Sequence, residues 1–190
     1  MAARPGLIVL DRDGVLNALL PNPTEPRPDS PMRAAEVTVF PWVPAALRDL
    51  TRAGFGLVIA SNQPAWAKGK TTRADLEAAH AVVLREAQAA GGVILSSHIC
   101  FHRAEDGCVC RKPAVGLLTE AFARHPGYDL GRSWMVGDRA PDVIAGATFG
   151  LRTALLSDED AELRVLAERG LAPSFRGRDL RDFARFVASR

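Results

Sequence analysis

The sequence predicts an α/β protein built on a mostly parallel sheet with helices on both faces. Short apolar runs at 7–10, 37–40, 55–60, 93–99, 133–136 and 153–156 read as buried strands. Helix-like stretches at about 43–53, 72–90, 114–124, 140–148 and 159–169 alternate with them, the order that joins parallel strands through crossover helices. Polar, reactive side chains follow directly after several of the runs, and open sheets of this Rossmann-like kind bind ligands at their strand ends.

A chain of 190 residues with 47% apolar content can bury a core without disulfides, so residues 1–190 are expected to form a single domain. Net charge is only +2, and no long basic run is interleaved with aromatics, so a nucleic-acid surface is not indicated. The four-residue apolar run before Asp11 is too short for a signal peptide or a membrane span, which leads to the expectation of a cytoplasmic monomer without membrane contact. The tail from Pro173 reads as an extended piece and a last helix. Its Arg178, Arg181, Arg185 and Arg190, interspersed with acids, suit a solvated face.

The first run, Leu7-Ile8-Val9-Leu10, launches Asp11-Arg12-Asp13-Gly14-Val15. Residues two apart on a strand point the same way, so Asp11 and Asp13 are expected in one pocket with Arg12 facing away, and Gly14 permits a sharp turn beside them. One carboxylate as nucleophile and one as proton donor suit phosphoryl transfer, provided a metal and a cation hold the phosphate. Pro21, Pro23, Pro26, Pro28 and Pro31 then impose an extended surface loop. The run Gly56–Ala60 ends in Ser61-Asn62-Gln63, a hydroxyl followed by two amides.

Cys100, His102, Cys108 and Cys110 supply three thiolates and an imidazole, a complete tetrahedral shell for structural Zn²⁺ with no open position for water. Buried or redox-reactive thiols are the alternative, and an odd cysteine count does not suit a secreted disulfide framework. Arg111-Lys112-Pro113 follows at once. The run Trp134-Met135-Val136 then leads into Gly137-Asp138-Arg139-Ala140-Pro141-Asp142. Lys68, Lys70 and Lys112 are the only lysines among 24 basic residues, which hints that a compact point charge is wanted at Lys112, while Lys68 and Lys70 cap a loop or attract anions. His80, His98 and His125 read as packing or surface residues, and Trp66 as packing.

In order and strand-end placement, these four motifs resemble the haloacid dehalogenase superfamily of phosphatases over about residues 6–157. The resemblance implies a capless fold with a small flap after the first motif, and an aspartyl-phosphate formed on Asp11. It implies that Asp13 protonates the leaving oxygen and then activates water, that Ser61 and Asn62 hold phosphoryl oxygens, and that Lys112 neutralises their charge. Mg²⁺ would sit on the Asp11 carboxylate, the Asp13 backbone carbonyl and Asp138, with Asp142 orienting Lys112 or the metal's water shell. The cysteine loop before Lys112, with Asp11–Asn17 and Asn62–Lys70, is similar to a narrower branch, the heptose-bisphosphate phosphatases and related histidinol-phosphate phosphatases. That branch implies a zinc loop, a sugar phosphate substrate, in first place heptose 1,7-bisphosphate losing its 7-phosphate, and substrate contacts from Asn17, Asn62 and Arg111. A histidinol-phosphate or broad-specificity phosphatase, or an inactive binding module, is the alternative.

Overall fold

The computed structural model describes residues 4–22 and 27–189. Six strands, β1 (Leu7–Leu10), β2 (Gly56–Asn62), β3 (Ile94–Cys100), β4 (Trp134–Gly137), β5 (Arg152–Leu156) and β6 (Phe175–Gly177), form one sheet in the order β3-β2-β1-β4-β5-β6. Every pairing among them is parallel. The connections carry α1 (Val43–Arg52), α2 (Arg73–Ala87), α3 (Gly116–Arg124), α4 (Ala140–Phe149) and α5 (Asp160–Ala167), and α6 (Leu180–Ala188) closes the chain. The predicted elements other than the run at 37–40 therefore stand, with ends shifted by a few residues.

Period-two alternation in β1 shows how two cores grow from one strand. Ile8 and Leu10 join Leu57 and Ile59 on the face covered by α1 and α6, where Trp134 meets Phe183 edge-to-face. Leu7 and Val9 join Val58 and Ala60 on the other face, against Leu117 and Leu118 of α3 and Ala145 of α4. All four β1 residues are wholly buried, which is why the strand is uniformly apolar. Helix ends are set locally: Thr72 and Asp75 form a capping box on α2, Asp179 caps α6, and Gly150 ends α4 at φ +89°.

One expected strand is absent from the sheet. Residues 37–40 form only an isolated bridge, Val39 to Asn17, while Val37, Val39 and Phe40 pack on the first core. Both edges of β1 are already taken by β2 and β4, so this apolar run serves as packing between the first motif and α1. The flap region after β1 is tied by a second bridge, Leu20 to Asp29. Pro23 and Pro26 lie outside the described residues. Chain direction diverges between β1 and β4, and the crevice at that switch point carries the site.

Candidate active site

The Asp11 backbone N–H donates to the Val136 carbonyl (2.8 Å), so the first carboxylate stands at the mouth of the β1–β4 crevice. Gly14 turns the chain at φ +83°, and a Cβ there would lie 2.2 Å from Asp138 Oδ2; only glycine lets the first motif lie against the last. Gly137 is constrained similarly, since a Cβ would strike the Asp142 side chain at 2.2 Å.

Lys112, though buried, is fully engaged. Its Nζ lies 2.8 Å from Asp11 Oδ1 and 2.6 Å from Asp142 Oδ1, and donates to the Ala60 carbonyl at 2.6 Å. Burial opposes its charge, but Asp11 and Asp142 outweigh burial and hold its pKa above the ordinary lysine value. Burial pushes Asp142 up to about 6 against the pull of Lys112. Burial, then the neighbouring Asp11 and Asp142, raise Asp138 well above the usual carboxylate range. Asp11, Asp138 and Asp142 bring carboxylate oxygens within 4.8 Å of one another, and Asp138 Oδ1 is buried without a hydrogen-bond partner. Three carboxylates facing a single ammonium form an electronegative oxygen cradle, which fits a hard divalent cation such as Mg²⁺.

Asp13 is surrounded differently. Arg12 grips its carboxylate with Nε (3.0 Å) and Nη2 (3.1 Å), Asn17 Nδ2 donates at 2.9 Å, and Gln63 Nε2 donates to Oδ2. Two expectations are corrected here. Arg12 does not face away from the pair; only 1% exposed, it curls back to Asp13, because a guanidinium that deep requires a carboxylate. Asn17, expected at the substrate, is wholly buried behind Asp13, where its amide serves the carboxylate. Gln63 has no role in the sequence reading; the signal for it is an amide directly following Ser61 and Asn62 at a strand's end. Behind this brace lies His80, whose two ring nitrogens have no hydrogen-bond partner.

The other predicted residues converge on one cleft of about 250 Å³, lined by Asp11, Asp13, Ser61, Asn62, Arg111 and Lys112 together with Asp138 and Asp142. Ser61 Oγ accepts from Gln63 Nε2 (3.0 Å). Asn62 clamps the third motif, donating to the Lys112 carbonyl (3.0 Å) and accepting from the Lys112 N–H (3.1 Å). Arg111 reaches the His102 carbonyl (3.2 Å) and leaves the rest of its guanidinium on the cleft. The flap contributes residues that the sequence did not single out, Arg27 and Ser30 among them.

The four zinc-loop donors also meet. Cys110 Sγ lies 3.1 Å from Cys100 Sγ and 3.5 Å from Cys108 Sγ, and His102 Nδ1 lies 3.2 Å from Cys110 Sγ. No disulfide joins these cysteines. Burial and the neighbouring thiols push Cys110 up to about 12, and burial raises Cys100; at Cys108, hydrogen bonds led by the Arg111 N–H overcome burial and bring the thiol to about 7. A convergent three-sulfur, one-nitrogen shell fits Zn²⁺. It would fix the loop one residue before Arg111.

The HAD-hydrolase-like family model matches residues 109–183. A curated relative from Pseudomonas putida, D-glycero-beta-D-manno-heptose-1,7-bisphosphate 7-phosphatase, is 34% identical over 161 residues, covering 82% of this chain and 85% of its own. The enzyme of the same name from Bordetella bronchiseptica is 34% identical over 169 residues, 87% of each chain. The chain belongs to the HAD-like phosphatases. A solved structure, D,D-heptose 1,7-bisphosphate phosphatase from B. bronchiseptica complexed with magnesium and phosphate, matches this phosphatase with a TM-score of 0.82 and 31% identity over 97% of this chain and 98% of that one.

Outside the cleft, the phosphatase keeps its remaining histidines in structural settings: His98 and His125 share the Ser96 hydroxyl, each at 2.9 Å. Trp66, expected as packing, is 46% exposed and meets Phe101 edge-on. Lys70 is occupied by Asp29 at 3.2 Å. No helix among the described residues is long and apolar enough to cross a membrane.

Proposed function

We propose that this phosphatase removes the 7-phosphate of D-glycero-D-manno-heptose 1,7-bisphosphate. The observation that carries the reading is a single cleft holding Asp11 beside Lys112, with the Arg111 guanidinium free of any carboxylate partner among the described residues. One end is arranged for phosphoryl transfer and another for a second anion. The names and coverage of the relatives support the same substrate.

In this mechanism Asp11 attacks phosphorus and forms an aspartyl-phosphate, while Asp13 gives its proton to the leaving sugar oxygen. Asp13 then takes a proton from water as the water attacks the acyl phosphate, regenerating Asp11 and releasing phosphate. Lys112 and Ser61 face the phosphoryl oxygens, and Asn62 keeps the Lys112 backbone in register. Arg12, Asn17 and Gln63 hold Asp13 at the cleft as a carboxylate, and one Asp13 oxygen exchanges an amide donor for the transferred proton during the reaction. Asp11, the Asp13 carbonyl and Asp138 would hold Mg²⁺, which would supply charge neutralisation, and Cys100, His102, Cys108 and Cys110 would hold Zn²⁺ in a structural role.

We infer further a single-domain monomer in the cytoplasm: the four motifs of the cleft all lie within this sequence, and three cysteines without a disulfide suit a reducing environment. Phosphate release with Mg²⁺ supplied, compared across the heptose bisphosphate, its monophosphate and histidinol phosphate, tests the substrate. The bisphosphate is expected to have the highest catalytic efficiency. Higher efficiency on histidinol phosphate would overturn the heptose reading, and equal efficiencies on all three would leave a broad-specificity phosphatase.

A further inference from the structure

Among the described residues of the proline-rich stretch after β1, Asp29 makes the most ties. Asp29 pairs its backbone with Leu20 in both directions (2.8 and 2.9 Å), and its carboxylate accepts from Asn22 Nδ2 (2.9 Å) and from Lys70 Nζ (3.2 Å) in the loop after β2. The flap and the loop after β2 are thereby joined beside the cleft. Arg27, two residues before Asp29, lines the same cleft as Asp11 and Arg111.

The cations of this region differ in what they face. Lys112 is engaged by Asp11 and Asp142, Arg139 faces Glu162 at 3.7 Å, and Lys70 holds Asp29. Arg27 and Arg111 face no carboxylate among the described residues, and Arg27 is exposed. Uncompensated guanidinium groups in a cleft suit a phosphate dianion, which they can bind through paired N–H donors. Proline on a loop reduces the entropy lost when such a donor is fixed.

We propose that Arg27 is a specificity-determining residue that, with Arg111, grips the non-reacting phosphate of the substrate, and that the Asp29–Lys70 ion pair is the latch that keeps it there. The inference rests on the bisphosphate reading above and adds the flap to it. Binding energy taken from a remote group then orients the reacting phosphate toward Asp11.

Steady-state kinetics on heptose 1,7-bisphosphate and on p-nitrophenyl phosphate decide it, using wild type, Arg27→Ala, Arg27→Lys and Asp29→Asn. In Arg27→Ala the ratio of kcat/KM for the bisphosphate to that for the ester should fall about tenfold, through KM, as expected for one charge-assisted contact in a wet cleft. Arg27→Lys should restore most of the ratio, and Asp29→Asn should lower it about twofold, the small effect of an exposed ion pair. A wild-type enzyme without bisphosphate preference would remove the heptose reading and Arg27's role together. A wild-type preference that survives intact in Arg27→Ala would overturn this inference alone, as would equal losses on both substrates.

Discussion

Asp11 and Asp13 leave the same strand end two residues apart, yet their partners come from different parts of the chain. Asp11 shares Lys112 with Asp142 and lies beside Asp138, groups delivered by the loop before α3, the first turn of α4 and the residue after β4. Asp13 is enclosed by donors, Arg12 and Asn17 from its own loop and Gln63 from the end of β2. The first surroundings carry an excess of negative charge and invite a cation. The second are already satisfied by protein. In the mechanism proposed above, the first surroundings suit a nucleophile beside a bound cation, and the second fix the orientation of the acid–base carboxylate.

The largest effect should come from breaking the Asp11 side. Asp11→Asn keeps the shape but removes the attacking charge and one wall of the cation cradle. Mg²⁺-dependent phosphate release should fall by about a thousandfold or more, the scale of losing a nucleophile together with its electrostatic support. Activity within a few-fold of wild type would show that the two carboxylates are not divided in this way.

The Asp11 side was legible in the sequence because its members belong to separate motifs placed at strand ends or at the start of the helix that follows, and parallel topology gathers these at one edge of the sheet. Ser61, Lys112, Asp138 and Asp142 meet in the cleft for that reason. The zinc loop was legible from its ligand types, three cysteines and a histidine between positions 100 and 110, with no knowledge of the fold. The Asp13 brace was not. Strand alternation sends Arg12 away from its neighbours, but alternation stops with the strand at Leu10, and burial then forces the guanidinium back toward the nearest carboxylate. Residues 37–40 were misplaced because an apolar run signals burial, and an irregular segment packed on the core is as buried as a strand. Arg27 carried no local signal, since it reaches the cleft from an irregular loop and not from a strand end.

A smaller effect should follow from loosening the Asp13 side. Gln63→Leu removes a buried donor from Asp13 and from Ser61. With Arg12 and Asn17 still in place, kcat should fall about tenfold, part of what a positioned acid–base group contributes. The half-saturating Mg²⁺ concentration separates the two sides: it should stay near the wild-type value in Gln63→Leu and rise in Asp138→Asn. A comparable rise in both variants would mean that Asp13 and the cation cradle act as one unit.

The smallest effect concerns stability, and it too belongs to the Asp13 side. His80 lies on α2 at a cavity of about 100 Å³ that Arg12, Gln63 and Phe101 also line. Burial, then the Arg12 charge, lowers its pKa from 6.5 to about 4, with Asp13 opposing. The folded protein therefore holds His80 neutral at pH values where the unfolded chain would protonate it. Its contribution is fully present above pH 6.5 and is lost as pH falls toward 4, where the folded state also takes up the proton. The shift corresponds to at most about 3 kcal/mol between those limits. In urea unfolding at pH 7 and pH 4.5, wild type should lose more stability than His80→Leu, by about 2 kcal/mol, because leucine has nothing to titrate. Carboxylates elsewhere act on both proteins alike, so the difference isolates His80. Equal losses would place the imidazole in contact with solvent and detach acid sensitivity from the Asp13 brace.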